Sequence, residues 1–131
     1  MNGVTATAKG VRMSPRKVGV VASLVRGCNV ADALVILDHT PRRAATPVKK
    51  VIMSAQANAT HNHNYKADGL RIVSISVTHG PRLKRYRPAA HGRALPYQKR
   101  TSHIHVVIDG EQRPAKKPAA KQPASAAKEA K

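Results

Sequence analysis

Two pairs of histidines have the spacing of metal ligands. His61 and His63 flank one asparagine, and His103 and His105 flank one isoleucine in a β-branched run. Alternate residues of a strand share a face, so the second pair can in principle chelate an ion. A zinc site needs three or four ligands, however, and the single Cys28 does not complete a familiar zinc spacing. We therefore expect no metal and no cofactor, and assign these imidazoles to a strand edge or to the neighbourhood of phosphates.

Side chains that could catalyse a reaction are not grouped in this sequence. There are no paired carboxylates, no nucleophile elbow and no phosphate-binding glycine loop. Ser102 and His103 are adjacent by sequence accident, and Cys28 has no visible partner that would activate its thiol. A lone cysteine also excludes a disulfide within the chain and fits a reducing compartment. The acidic residues are scattered over Asp32, Asp38, Asp68, Asp109, Glu111 and Glu129. We predict no catalytic residues and no enzyme.

Positive charge dominates the composition. The 131 residues include 24 Lys and Arg against 6 Asp and Glu, a formal net charge of +18. Self-repulsion on this scale favours an anionic partner, most often nucleic acid. No segment approaches the roughly 20 apolar residues of a membrane span, so we expect none. Three tyrosines, without Phe or Trp, are too few for a platform that stacks single-stranded bases. Contact is therefore expected mainly through phosphates, with Arg and Lys as donors.

The stretch 79–100, HGPRLKRYRPAAHGRALPYQKR, concentrates this charge. It separates two β-branched runs and contains no acidic residue, which predicts a polar hairpin arm. Half of its length spans roughly 35 Å at about 3.3 Å per residue, and an isolated ribbon of that length is not stable in water. The arm therefore requires a large folded polyanion, such as ribosomal RNA. Tyr86 and Tyr97 either pack across it or contact a base or sugar. Its basic residues are Arg82, Lys84, Arg85, Arg87, Arg93, Lys99 and Arg100.

Three helices are predicted before the arm. The first begins at Ser14-Pro15, a hydroxyl N-cap followed by proline, and ends at Gly27. The second begins at Asn29. The third is predicted to begin at Thr40-Pro41, with Pro47 inside it as a kink or restart. On the polar side of the third helix we expect a basic face that contacts nucleic acid, formed by Arg42, Arg43, Lys49 and Lys50.

Strands are predicted over residues 4–11, 70–78 and 101–108. In the second of them Leu70 and Ile72 fall on the face opposite to the later apolar residues, which predicts a bulge or a sheet covered on both sides. The sets expected on one face are Val73, Ile75 and Val77 in the second strand and Ile104, Val106 and Ile108 in the third. Residues 1–110 are thus predicted to form one domain. Residues 111–131 are rich in Ala, Pro, Lys and Gln, which predicts a disordered basic tail.

Five motifs occur in order and with the spacing of a known family. They are SPRKVGVVASLVRG (14–27), KKVIMSAQANATHN (49–62), GPRLKRYRP (80–88), GRA (92–94) and KRTSHIHVVI (99–108). On these motifs the chain resembles bacterial large ribosomal subunit protein twenty-two, the L-twenty-two family, from about Val11 to Ile108. The resemblance implies an α+β fold, in which three helices pack on a small three-stranded antiparallel sheet with a long projecting β-hairpin.

The resemblance also implies a function. Members of this family are structural proteins that bind large-subunit ribosomal RNA and support subunit assembly. Their hairpin tip lines the nascent-peptide exit tunnel and influences macrolide susceptibility. The implied partners are large-subunit ribosomal RNA, neighbouring large-subunit ribosomal proteins and the nascent peptide. The implied location is the cytoplasmic ribosome, and no homo-oligomer is expected. The alternative from charge alone is a free-standing basic nucleic-acid chaperone or regulator.

The resemblance assigns residues to two surfaces. RNA-facing positions of the body and the hairpin base are Ser14, Arg16, Lys17, Lys50, Lys99, Arg100, Thr101, Ser102 and His103. From the charge of the arm we add Arg82, Lys84, Arg85, Arg87 and Arg93 as expected RNA contacts. The tunnel-lining tip comprises Leu83, Lys84, Arg85, Pro88, Ala89, Ala90, His91, Gly92 and Arg93. Ala89 and His91 stand where the family usually has basic residues, so the tip is expected to be less positive than usual.

Overall fold

The computed structural model describes residues 3–112, in which three helices pack with a three-stranded antiparallel sheet. The helices α1 and α3 lie against the sheet, and α2 packs on α3. This confirms the predicted α+β class. No helix in the described range is long and apolar enough to cross a membrane. The elements are β1 (Val4–Val11), α1 (Pro15–Leu24), α2 (Val30–His39), α3 (Ala45–Ala57), β2 (Arg71–Pro88) and β3 (Ala94–Asp109).

The order of strands in the sheet is β1-β3-β2, so β3 lies in the middle. The three residues predicted to face inward on β3 are fully buried, as expected: Ile104, Val106 and Ile108. The predicted bulge in β2 is also present, because the pairing with β3 shifts between Ile72 and Ser74. A bulge moves the following side chains to the other face. Leu70, Ile72 and Ile75 are therefore all buried, while the inward prediction for Val73 is wrong, since that side chain is 52% exposed.

The start of α1 follows the predicted proline signal. The Ser14 carbonyl accepts hydrogen bonds from the N–H groups of Lys17 and Val18, at 3.0 and 3.2 Å. The helix stops before Gly27, whose φ of +78° is readily available only to glycine. The loop that follows pairs with the edge of the sheet, because the Cys28 carbonyl accepts the Ile72 N–H at 3.0 Å. This pairing fixes α1 against β2.

The third helix begins at Ala45, so the predicted start at Thr40-Pro41 is wrong. Thr40 belongs to the end of α2, where its hydroxyl donates to the Ile36 carbonyl at 2.6 Å. Its extended backbone is the conformation favoured before proline. Pro47 is the third residue of α3, where an N–H would have no helical partner. Of the two alternatives predicted for Pro47, the kink is wrong, because α3 runs unbroken to Ala57, whereas a helix does start beside this proline.

The arm is an extension of β2 and β3 rather than a separate insertion. Pairing continues from Arg82 opposite Arg100 to Pro88 opposite Ala94, about 23 Å of ribbon. At the tip the Ala89 N–H donates to the Arg93 carbonyl at 2.7 Å. A second shift in the pairing, between His79 and Arg82, separates the arm from the sheet of the body.

The predicted tail lies outside the described residues apart from Glu111 and Gln112. The carbonyl of Glu111 accepts the Lys66 N–H at 2.9 Å, and its carboxylate pairs with the Lys66 ammonium at 3.0 Å. Gln112 forms a β-bridge with Tyr65. The end of the described chain is thus held against the segment between α3 and β2.

Candidate nucleic-acid interface

Three separate segments meet in a cleft of about 710 Å³ at the base of the arm. They are residues 12–17 at the start of α1, residues 42–44 before α3, and the base of the arm at Leu83 and residues 98–101. Six cationic side chains line it: Arg12, Lys17, Arg42, Arg43, Lys99 and Arg100. Among residues 3–112, no acidic side chain lines the cleft. Such an arrangement concentrates positive potential in one concave surface, which favours a polyanion.

The N-terminus of α1 adds to this potential. Ser14 lines the cleft, and within the described chain its side chain forms no hydrogen bond that caps the helix. The hydroxyl therefore remains available to a ligand. The start of a helix also carries a partial positive charge and unpaired N–H groups, which favour phosphate. Arg16 is exposed in the same first turn.

The predicted basic face of α3 is divided in two by the later start of this helix. Arg42 and Arg43 lie in the turn before α3 and contribute to the cleft. Lys49 is half-buried and forms an ion pair with Asp38 of α2. Lys50 is exposed and lines a smaller cleft of about 270 Å³ between α3 and β1. Of the four predicted residues, Arg42 and Arg43 line the cleft, whereas Lys49 and Lys50 do not.

The arm carries cations on both faces of its ribbon. Side chains alternate along a strand, and residues opposite each other share a face. One face therefore has Arg82, Lys84 and Arg100, and the other has Arg85, Arg87 and Lys99. All six are exposed. Arg82 lies directly opposite Arg100, a pairing of like charges that disfavours the ribbon unless an anion neutralises it.

The two arm tyrosines differ. The Arg87 guanidinium carbon lies 4.9 Å from the centre of the Tyr97 ring, a cation–π contact across the ribbon. Tyr86, on the other face, is 69% exposed. Packing across the arm therefore accounts for Tyr97, whereas Tyr86 presents its ring to solvent.

The hydroxyls predicted to contact RNA at the arm base are buried. Thr101 is 8% exposed and donates to the Pro81 carbonyl at 2.7 Å, and Ser102 is fully buried. Thr101 still lines the cleft, with its hydroxyl committed to that bond, whereas Ser102 does not line the cleft and we place it outside the interface. His103 is half-buried, and its Nδ1 accepts the Gly10 N–H at 2.9 Å. A neutral His103 then carries its proton on Nε2. This imidazole is therefore a bond partner of the β1 edge.

The predicted tip residues do not form one group. Leu83 lies opposite Lys99 and lines the cleft, about 17 Å of ribbon from the tip turn. Lys84 and Arg85 follow it in the lower half of the arm. The turn itself is formed by Pro88, Ala89, Ala90, His91, Gly92 and Arg93, with His91 and Gly92 at φ of +59° and +68°. These six residues are called the tip turn below.

Arg12 and Gly80 were not identified from the sequence. Arg12 lines the cleft just before the N-cap of α1, and its position two residues ahead of that cap was the available signal. A Cβ atom at Gly80 would collide with the Thr101 hydroxyl and would lie 3.2 Å from the Ser102 nitrogen. This close approach depends on the register between β2 and β3, for which the sequence contains no local signal.

Metal ligands are not assembled in the described part of the chain, where no three His, Cys, Asp or Glu side chains come together. His105 is the central member of a cross-strand row of three residues, and His103 lies opposite Thr78 of β2. Thr7 and Ser76 flank His105 in its row. Hydroxyls and imidazoles without carboxylates or thiolates form a hydrogen-bonding surface.

Known proteins are similar in sequence to this chain over most of its length. The family described as Ribosomal protein L22p/L17e matches residues 6–109. Large ribosomal subunit protein uL22 of Clostridioides difficile (strain 630) is 54% identical over 103 residues, which cover 79% of this chain and 93% of that protein. The uL22 protein of Desulfitobacterium hafniense (strain Y51) is 53% identical over 108 residues, 82% of this chain and 95% of that protein. These matches confirm the resemblance carried by the five motifs, and the chain belongs to the ribosomal protein L22p/L17e family.

Proposed function

We propose that this protein is a structural constituent of the large ribosomal subunit that binds large-subunit ribosomal RNA through the cleft and the arm. Membership of a family of structural ribosomal proteins supports this role, and the distribution of charge supports the mode of binding. The protein supports subunit assembly and works in the cytoplasmic ribosome, beside neighbouring large-subunit proteins. It performs no catalytic step.

The observation that carries the proposal is the presence of cations on both faces of the arm. A ribbon that lay on one RNA surface would need them on one face only. Two cationic faces, with Arg82 opposite Arg100, fit a ribbon enclosed by RNA segments on both sides. A folded ribosomal RNA offers such a passage, whereas one groove of a duplex contacts a single side.

The tip turn is suited to contact with a passing peptide. Arg87 and Arg93 flank the short sequence Ala89-Ala90-His91, which contains no Lys or Arg. Small side chains leave room beside the turn, and the absence of Lys and Arg between Arg87 and Arg93 reduces retention of charged peptide segments. We propose that the lower arm binds RNA while the tip turn lines the nascent-peptide tunnel.

The salt dependence of RNA binding tests the phosphate contacts. Each phosphate neutralised lowers the slope of log K against log salt concentration by about 0.7 to 0.9. We expect Lys99→Gln to weaken binding to large-subunit RNA and to reduce the slope by about one contact. Lys66→Gln removes the same charge at the other end of the fold, where Lys66 pairs with Glu111. This control should change neither quantity, and equal effects of both variants would contradict the proposed surface.

Sedimentation of cell extracts separates the two candidate functions. A structural constituent should migrate with large subunits in one-to-one ratio, with little free protein. A free-standing nucleic-acid chaperone should instead leave a substantial free pool. A pool of that kind would overturn the proposal even if RNA binding were tight.

A further inference from the structure

The lining of the cleft at the base of the arm is partly apolar, here called its floor, and partly cationic, here called its rim. Met13 packs partly buried against the core, Ala44 is 3% exposed, and Leu83 is 38% exposed. All three line the cleft. Phosphates gain nothing from apolar contact, because their hydration would be lost without a compensating partner. The floor therefore indicates a ligand with an apolar surface as well as negative charge.

The size of the cleft indicates how much of such a ligand it holds. A volume of about 710 Å³ falls within the range of roughly 300–1,000 Å³ in which proteins enclose small ligands. A bound phosphate alone would leave most of this space unused. An unstacked nucleotide combines the required features, since its base is flat and weakly polar on its faces and its phosphates are anionic.

We infer that the cleft takes one unpaired RNA nucleotide, with its base against Met13 and Leu83 and its flanking phosphates on the cationic rim. This inference rests on the proposed RNA-binding function and adds a specific site to it. Proteins that recognise unpaired RNA commonly seat the splayed base between apolar or guanidinium surfaces. Arg42 and Arg43 supply guanidinium planes at the rim.

Two RNA probes test the site with the full-length chain. One is a short continuous duplex, and the other is the same duplex with a single unpaired nucleotide, replaced by a fluorescent adenine analogue. We expect the second probe to bind roughly tenfold more tightly, as one enclosed base would give. The fluorescence of the analogue should change on binding, because the base leaves the stack.

Leu83→Ala should remove most of the preference for the probe with the unpaired nucleotide. Leu95→Ala is the matched control, because Leu95 is an exposed leucine of the same ribbon that does not line the cleft. Neither leucine belongs to the core, so both variants should fold. The control should keep the full preference.

Equal binding of both probes by the unaltered chain would overturn the inference. Equal loss in the Leu83 and Leu95 variants would overturn it too. Failure of the proposed function would differ from either result, since both probes would then bind weakly and with a shallow salt dependence. Steep salt dependence without a preference for the unpaired nucleotide leaves the proposed function intact and removes only the nucleotide site.

Discussion

Replacing Gly80 with alanine should destabilise the junction between the body and the arm by about 1–3 kcal/mol. The added methyl group would collide with the Thr101 hydroxyl and would lie 3.1 Å from the Thr101 carbonyl carbon. The hydroxyl is not free to move, because it donates to the Pro81 carbonyl at 2.7 Å. Rotating Thr101 away loses that hydrogen bond, at a cost of about 1 kcal/mol. Keeping it forces β2 and β3 apart at the second register shift.

Thermal unfolding followed by circular dichroism measures this effect. For a domain of this size 1 kcal/mol corresponds to a decrease in Tm of about 4 °C. Gly19→Ala is the control, because Gly19 lies within α1 and an added Cβ meets no atom within 4 Å. Alanine there should stabilise the helix by about 0.5–1 kcal/mol. Replacing glycine with alanine is thus expected to lower the free energy of unfolding at Gly80 and to raise it at Gly19. A Tm for Gly80→Ala equal to or above that of the unaltered chain would refute the tight junction.

Two further outcomes follow from burial and exposure. Ser102→Ala should raise the free energy of unfolding by about 1 kcal/mol, because the buried Ser102 hydroxyl has no hydrogen-bond partner among the described residues. Its affinity for ribosomal RNA should not change, and a loss of affinity in titrations would restore Ser102 as an RNA contact. A photoreactive side chain at Ala90, in the exposed tip turn, should crosslink to a nascent peptide in stalled ribosomes. The same group at Val35, exposed on α2, should not, and crosslinking from both positions would contradict the tunnel assignment.

Signals between near neighbours in the sequence were sufficient for much of the fold. Ser14-Pro15 located the start of α1, and alternation located the buried face of β3 at Ile104, Val106 and Ile108. Leu70 and Ile72 indicated the bulge in β2. The acid-free run 79–100 indicated a basic hairpin, and the five motifs indicated the family. These features depend on backbone preferences and on periods of two or about 3.6 residues, which are local properties of the chain.

Competition between alternative partners explains the wrong helix start. Thr40 is a good N-cap residue by type, but its hydroxyl bonds to the Ile36 carbonyl behind it. The hydrogen-bond partner of the Thr40 hydroxyl depends on where the preceding helix ends. Because α3 starts at Ala45, Arg42 and Arg43 precede the helix instead of lying on its polar face. They therefore line the cleft at the base of the arm.

Charge, hydrophobic periodicity and the order of motifs can be read from residues close together in the sequence. These properties were enough to predict a cationic hairpin on an α+β body. The cleft is different, because Arg12, Arg42 and Lys99 come from segments that meet only when the chain packs. The burial of Thr101 and Ser102 likewise depends on the register between β2 and β3, and a shift of one residue reverses every side chain. Contacts between distant segments are set by packing and register, so the location of the binding surface required the folded chain.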